Sequence, residues 1–339
     1  RRKGALAYVN ILVSLIFSGM SGSALADAGG LGQLEIKSMR DAGFDDGFAG
    51  GITAASCIIG PLVPPSTPLI IYAVLAGQSV EKLFMAGFMP GLLTSFMLMA
   101  MCSILAHKRN YPSEPKRSWS YRARSFKESF WALLTPLIIL VGIFTGYFTP
   151  TEAAAVAVIY GLIVGFFIYK ELTWKDVWNA LKKTLISSSS VMIIIGFSSI
   201  FTWVLTIQKV PDMVANFFMS MNVAPWGIAL MFDVLILIIG TFIDVSPAIL
   251  MLTPIMLPVM QNYGFTALQF GAMLITGLAI GLVTPPVGMC LNACNKINRM
   301  PIISIFKGAL PYVTCNVLVL IAISLFPALT TWLPALLGY

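Results

Sequence analysis

Two apolar stretches of this chain are split in the middle by small and polar residues. The first runs from about residue 7 to 36 around Ser18-Gly19-Met20-Ser21-Gly22-Ser23. The second runs from about 228 to 261 around Gly240-Thr241-Phe242-Ile243-Asp244-Val245-Ser246-Pro247. Each arm has about twelve residues, or about 18 Å of helix, against a hydrocarbon core of about 30 Å. Backbone amides and carbonyls cannot face lipid unpaired, so an arm that stops halfway must end against protein. The expectation is two re-entrant helical hairpins.

The two hairpins belong to an internal repeat. Shifting the sequence by 221 residues places Gly19 on Gly240, Gly43-Phe44 on Gly264-Phe265 and Ile59-Gly60 on Ile280-Gly281. The same shift places Pro64-Pro65 on Pro285-Pro286, Gly87 on Gly308 and Pro90 on Pro311. Shared apolar composition would align Leu with Ile. Gly and Pro at a constant offset instead specify backbone conformation twice.

Composition sets the medium. Of 339 residues, 58% are apolar and 10% charged, whereas a soluble domain carries about 25% charged residues. Continuous rather than alternating apolar runs exclude a transmembrane barrel. Spans are expected at 48–77, 84–106, 130–148, 150–169, 185–207, 265–292 and 303–335, the first and sixth interrupted by Gly and Pro. Five spans between the hairpins invert the second copy relative to the first. The net charge of +7 is concentrated in short loops, which points to membrane orientation rather than nucleic acid. With the 107–129 loop (Lys108, Arg109, Lys116, Arg117, Arg122, Arg124, Lys127) in the cytoplasm, every Lys and Arg lies inside except Lys82 and Lys209. The first hairpin then enters from the cytoplasm and the second from outside, and the C-terminus is periplasmic. Three spans precede the second hairpin without a counterpart before the first, so three N-terminal spans are expected to be absent from this chain.

The fold class is thus an all-α polytopic membrane protein with inverted repeats, two hairpins and two interrupted helices. Residues 1–80 and 228–300 would each hold one hairpin and one interrupted helix. Residues 81–227 would be mainly scaffold helices and connections, and 301–339 a C-terminal helix. Inverted repeats with broken helices mark the midplane site of a secondary transporter. Broken helices expose carbonyls for a cation and amides for an anion. By symmetry one cation site would use Ser18, Gly60, Val63 and Ser66, and the other Gly240, Gly281, Thr284 and Val287. A single Gly-Pro pair would be a kink; four in an inverted repeat read as function. Asp244 lies in a strongly apolar stretch, where an acid is costly and marks a site, although it could instead cap the following helix. Ser21, Ser23 and Ser66 could donate to a carboxylate or hydroxyls of a substrate, or cap backbone locally. Asp27 follows the first tip and is placed to cap or pair there. Thr149-Pro150-Thr151-Glu152 reads as a helix start, and Ser187 to Ser190 as a helix-packing surface. One histidine, His107, and five cysteines without a C-x-x-C pair supply no metal or disulfide framework. No phosphate loop, triad or organic cofactor motif is present, so an enzyme is not expected.

At these same residues the sequence resembles the large membrane subunit of tripartite ATP-independent periplasmic (TRAP) transporters. The matching motifs are Ser18 to Asp27, Gly60 to Ser66, Thr149 to Ala155, Gly240 to Asp244 and Gly281 to Gly288. The stretch Ser18 to Glu35 is similar to the sialic-acid branch. The resemblance implies an elevator mechanism, two or more sodium ions, a small membrane subunit, a periplasmic binding protein and a bacterial inner-membrane location. The implied substrate is an organic acid, sialic acid ahead of a four-carbon dicarboxylate. A stand-alone sodium/carboxylate carrier and a channel are the competing classes; a channel needs a continuous polar lining, and the polar breaks sit only near the midplane.

Overall fold

A computed structural model describes residues 3–112, 118–221 and 223–338. Arg1, Arg2, Lys116 and Arg117 of the charge pattern lie outside the described residues. The helices of the first copy are α1 (Ala5–Ser21), α2 (Ala24–Gly30), α3 (Gly32–Asp41), α4 (Asp46–Ser56, continued by a 3-10 turn, Cys57–Ile59), α5 (Thr67–Ala76) and α6 (Val80–Lys108). There follow α7 (Trp119–Phe144), α8 (Pro150–Ile163, continued by a π turn, Val164–Ile168), α9 (Trp174–Ile207) and α10 (Val210–Ser220). The second copy comprises α11 (Pro225–Gly240), α12 (Val245–Asn262), α13 (Ala267–Gly281), α14 (Met289–Asn298) and α15 (Ile302–Leu325), and α16 (Ala328–Leu336) ends the chain. Among the described residues, six helices are long and apolar enough to cross a membrane: α6, α7, α8 with its π turn, α9, α12 and α15.

The repeat seen in the sequence is a repeat of structure. Moved by 221 residues, α1 falls on α11, α2 and α3 together on α12, α4 with its turn on α13, α5 on α14 and α6 on α15. Every start agrees to within one residue. Gly43 and Gly264 share φ values of 88° and 87°, and Pro64-Pro65 and Pro285-Pro286 are both cis.

Chain reversal at the first tip is visible in one hydrogen bond. Asn10 on α1 donates from Nδ2 to Glu35 Oε2 on α3 at 2.9 Å. These residues flank the Gly22-Ser23 turn at nearly equal chain distance, so α3 must run back beside α1. The arms are longer than expected, however: α1 has 17 residues, α11 has 16 and α12 has 18. The helices run on into the flanks of the apolar stretches, through Ser18–Ser21 for α1 and through Pro225–Gly227 and Val245–Pro247 at the starts of α11 and α12, where a first-turn Pro is tolerated.

Three other boundaries depart from the sequence reading. The expected 107–129 loop is helical from Trp119 onward, supported by an Arg124–Glu128 pair at 2.9 Å, one helical turn apart. The expected span 303–335 is two helices, because Pro327 forces Phe326 into an extended conformation (φ −119°, ψ 90°). The helix expected at 185–207 starts earlier, at Trp174.

The chain forms two compact units, one from Arg1–Glu114 with Thr202–Tyr339, the other from Pro115–Phe201. In the first, α4 packs on α15 so closely that a methyl group on Gly308 would lie 1.9 Å from the Gly47 carbonyl oxygen. α11 lies against α13, α12 against α5, and α16 against α6. Tyr72 of α5 crosses between copies, donating to the Ala267 carbonyl at 2.8 Å and meeting Phe270 edge-on. Beyond α6, Tyr111 donates to Asp45 Oδ2 at 2.6 Å, and Arg109 reaches the same oxygen at 3.3 Å. Burial raises the Tyr111 phenol pKa, and the Asp45 carboxylate adds to it. In the second unit α7 packs on α8, Tyr160 donates to the Trp131 carbonyl at 2.8 Å, and Thr149 and Glu152 form a reciprocal capping box.

Candidate functional site

The first hairpin tip abuts the first helix break. Gly22, at φ +58°, is so close that a methyl group there would fall 2.4 Å from the Pro65 carbonyl oxygen and 2.9 Å from Ser66 Cα. No side chain fits this left-handed position. The second tip makes the same approach in its own copy: a methyl group on Gly281 would lie 2.2 Å from the Gly240 carbonyl carbon. α13 also packs on the 3-10 turn after α4, which leads into the first break.

Parts of each candidate set meet at these contacts, Ser18 and Ser66 through Gly22, and Gly240 with Gly281 and Thr284, and the carbonyls differ in commitment. Among the described residues, the carbonyl oxygens of Gly60, Val63, Gly240 and Thr284 accept no hydrogen bond. The Gly281 carbonyl takes the Thr284 amide at 3.0 Å, and the Val287 carbonyl takes Asn292 Nδ2 at 2.6 Å. Ser18 is buried and donates to the Leu15 carbonyl at 2.6 Å, which leaves its oxygen lone pairs available. Two uncommitted carbonyls in the first break, and in the second copy one in the break and one at the adjoining tip, suit a small hard cation.

The candidate substrate residues divide in the same way. Ser66 is buried and fully used: its hydroxyl donates to the Pro61 carbonyl at 2.5 Å and accepts the Leu69 amide at 3.3 Å. It caps α5. Ser23 caps α2, accepting the Ala26 amide at 3.4 Å, and Ser21 accepts the Ser23 amide at 3.5 Å. Both are part-exposed and keep a free O–H donor. Asp244 occupies the N-cap position of α12 but makes no side-chain cap bond, and it is part-exposed. The repeat pairs Ser23 with Asp244: equivalent caps, one neutral and one acidic. Asp27 does not cap its helix. It is 1% exposed, and its carboxylate lies beside Ser14 and Cys57 without a hydrogen bond of good geometry.

Sequence reasoning missed a polar network inside the first copy. Asn10 donates to Thr53 Oγ1 at 2.7 Å as well as to Glu35, and Ser56 donates to Asn10 Oδ1 at 2.9 Å. Ser14 donates to Ser56 Oγ at 2.9 Å. It also missed Asp233, 3% exposed, which accepts from Ser324 Oγ at 2.7 Å. The signal was available: acids inside apolar arms, and the i,i+4 pair Asn10/Ser14 beside the i,i+3 pair Thr53/Ser56.

The sequence matches the family described as "Tripartite ATP-independent periplasmic transporter, DctM component" over residues 1–329. The chain belongs to that family. This DctM-family chain is 46% identical over 337 residues to the sialic acid TRAP transporter large permease protein SiaM of Vibrio cholerae, spanning 99% of this chain and 79% of the relative. It is 46% identical to the sialic acid TRAP transporter permease protein SiaT of Haemophilus influenzae, spanning 98% of this chain but 54% of that protein. More distant relatives bear the names of other substrates, among them 2,3-diketo-L-gulonate and C4-dicarboxylates. Its fold resembles the crystal structure of the Alcanivorax borkumensis YdaH transporter, with a TM-score of 0.60 at 15% identity over 99% of this chain and 86% of that one.

Proposed function

We propose that this chain is the large permease of a sodium-driven, binding-protein-dependent importer of an organic acid, with sialic acid as the substrate. The observation that carries the reading is the abutment of each hairpin tip on its helix break, with open carbonyls at Gly60, Val63, Gly240 and Thr284. Two sodium ions would sit at these breaks. The free hydroxyls of Ser21 and Ser23 and the first-turn amides of α2 would receive the substrate's carboxylate or hydroxyls. Asp244 would accept from substrate hydroxyls at the opposite tip. Ser66 would hold the first break in shape rather than touch substrate.

Residues 1–80 and 228–300 would move as the transport element of an elevator, with 81–227 as scaffold. Each sodium entering contributes about 2.3 kcal/mol per 100 mV of membrane potential, plus its concentration gradient. A periplasmic binding protein would deliver substrate to the inner membrane. A small membrane subunit would cover part of α9, whose Ser187 to Ser190 run lies on a helix with no buried residue. The C-terminus after α16 would be periplasmic. A four-carbon dicarboxylate substrate is the second reading, favoured by the relatives named for it. The chemistry is transport, with no bond made or broken.

The test is uptake of labelled sialic acid by proteoliposomes holding the full-length membrane subunits, with the cognate binding protein and an inward sodium gradient. Uptake that needs both supports the reading. Sodium-dependent uptake of a dicarboxylate but not sialic acid selects the second substrate. Uptake that needs no binding protein overturns it in favour of a stand-alone carrier, and flux that does not saturate in favour of a channel.

A further inference from the structure

The first hairpin carries two acids that the transport reading does not use. Asp27 on α2 is 1% exposed, with only the neutral Ser14 hydroxyl and Cys57 thiol beside its carboxylate and no hydrogen bond of good geometry, and Glu35 on α3 has one oxygen bonded to Asn10 and the other, Oε1, buried without a partner. Taken element by element, α1 faces them with the neutral Asn10 and Ser14, and α4 with Thr53 and Ser56. The 3-10 turn adds the thiol of Cys57, and α14 adds those of Cys290 and Cys294. No Lys, Arg or His forms an ion pair with either acid among the described residues.

Ionised together, the buried Asp27 and the part-buried Glu35 would face both a desolvation cost and mutual repulsion. Such groups neutralise instead. Among the described residues no three His, Cys, Asp or Glu side chains are grouped to hold a metal ion. A proton needs no coordination shell. The second copy shows that a returning helical arm does not require the acids: at the shifted positions one continuous helix, α12, carries Ala248 in place of Asp27 and Met256 in place of Glu35.

We propose that Asp27 and Glu35 form a proton-binding site inside the first hairpin and share one proton at neutral pH. The proton belongs to the pair, not to either residue. Because α2 and α3 pack on α14 of the other copy, the charge of this pocket is felt where the two repeats meet. The proposal stands on the hairpin alone, whatever the substrate.

Infrared difference spectroscopy tests it on the full-length membrane complex in lipid at neutral pH. The background is Asp233→Asn, which removes the other buried acid. Subtracting the spectrum of Asp27→Asn/Glu35→Gln in that background should leave one neutral-carboxyl C=O band and one carboxylate band, unchanged by sodium. Carboxylate bands alone would overturn the proposal. A carboxylate pattern that shifts with sodium at fixed pH would also overturn it, in favour of a metal cation. If the double variant does not fold, the Asp233→Asn protein is titrated itself. A deuterium-sensitive neutral-carboxyl band that converts to carboxylate on alkalinisation supports the site, and no such band at neutral pH overturns it.

Discussion

The two copies of the repeat share a backbone and differ in chemistry. Asn10, Ser14, Asp27, Glu35, Thr53 and Ser56 of the first copy correspond by the 221-residue shift to Met231, Leu235, Ala248, Met256, Leu274 and Gly277 of the second. The first hairpin meets its neighbours through hydrogen bonds of Asn10 and Ser14, whose counterparts in the second are apolar. The exchange also runs the other way: Leu12, Phe48 and Ala55 of the first copy correspond to Asp233, Gln269 and Thr276 of the second. Gly and Pro set the shared path; the residues between them set what each copy can bind. The same shift pairs Ser23 with Asp244, so the two tips present unlike groups to anything held between them.

The strongest test of the shared path is steric. Gly281→Val should destabilise the second copy by about 3 kcal/mol, the upper range for overpacking, because its side chain would meet the Gly240 backbone. Gly60→Val, whose nearest contacts are 3.2 Å away, should cost less. Thermal unfolding in detergent gives the order, and equal losses would break the asymmetry. If the sodium assignment holds, Gly281→Val also weakens the sodium titration of uptake in whatever protein remains folded.

Next comes the polar hairpin. Asn10→Leu leaves Glu35, Thr53 and Ser56 short of partners and should cost about 2 kcal/mol. Replacing all six polar residues by their second-copy counterparts should cost less than that single change, because a polar group is expensive chiefly when its partner alone is removed. A larger loss from the six-fold exchange would mean that the network holds the hairpin in place. Gln269→Leu, which deletes donations to the Ile323 and Ser324 carbonyls at 3.0 and 3.1 Å, should cost about 1 kcal/mol in the second copy. The smallest stability change is expected for Asp244→Asn, within about 0.5 kcal/mol because the side chain makes no cap bond. Its uptake should nevertheless fall about tenfold, equivalent to about 1.4 kcal/mol of barrier. Wild-type uptake by that variant would remove Asp244 from the site.

What the sequence made legible follows from how local each signal is. The hairpin tips, both breaks and the Thr149 cap are written in Gly, Pro and capping residues that act within a few positions, and the repeat doubled that signal. Helix ends were harder. Trp119 to Lys127 is polar enough to look like a loop, and the break at Pro327 was hidden in a continuous apolar run. The Asn10–Glu35 bond exists only after the chain turns back. Asp233 and Ser324 lie 91 residues apart, and no spacing rule joins them. For the same reason Ser66 read equally well as ligand or cap until its two hydrogen bonds were seen.

The contact between α2 and α14 has a consequence for biogenesis. As the chain emerges from the ribosome, α2 and α3 are made some 250 residues before the helix that covers them. Until then a segment carrying Asp27, Glu35, Lys37 and Arg40 has no favourable place in hydrocarbon. The first hairpin would then wait at the membrane surface while later helices insert, and settle once α14 arrives.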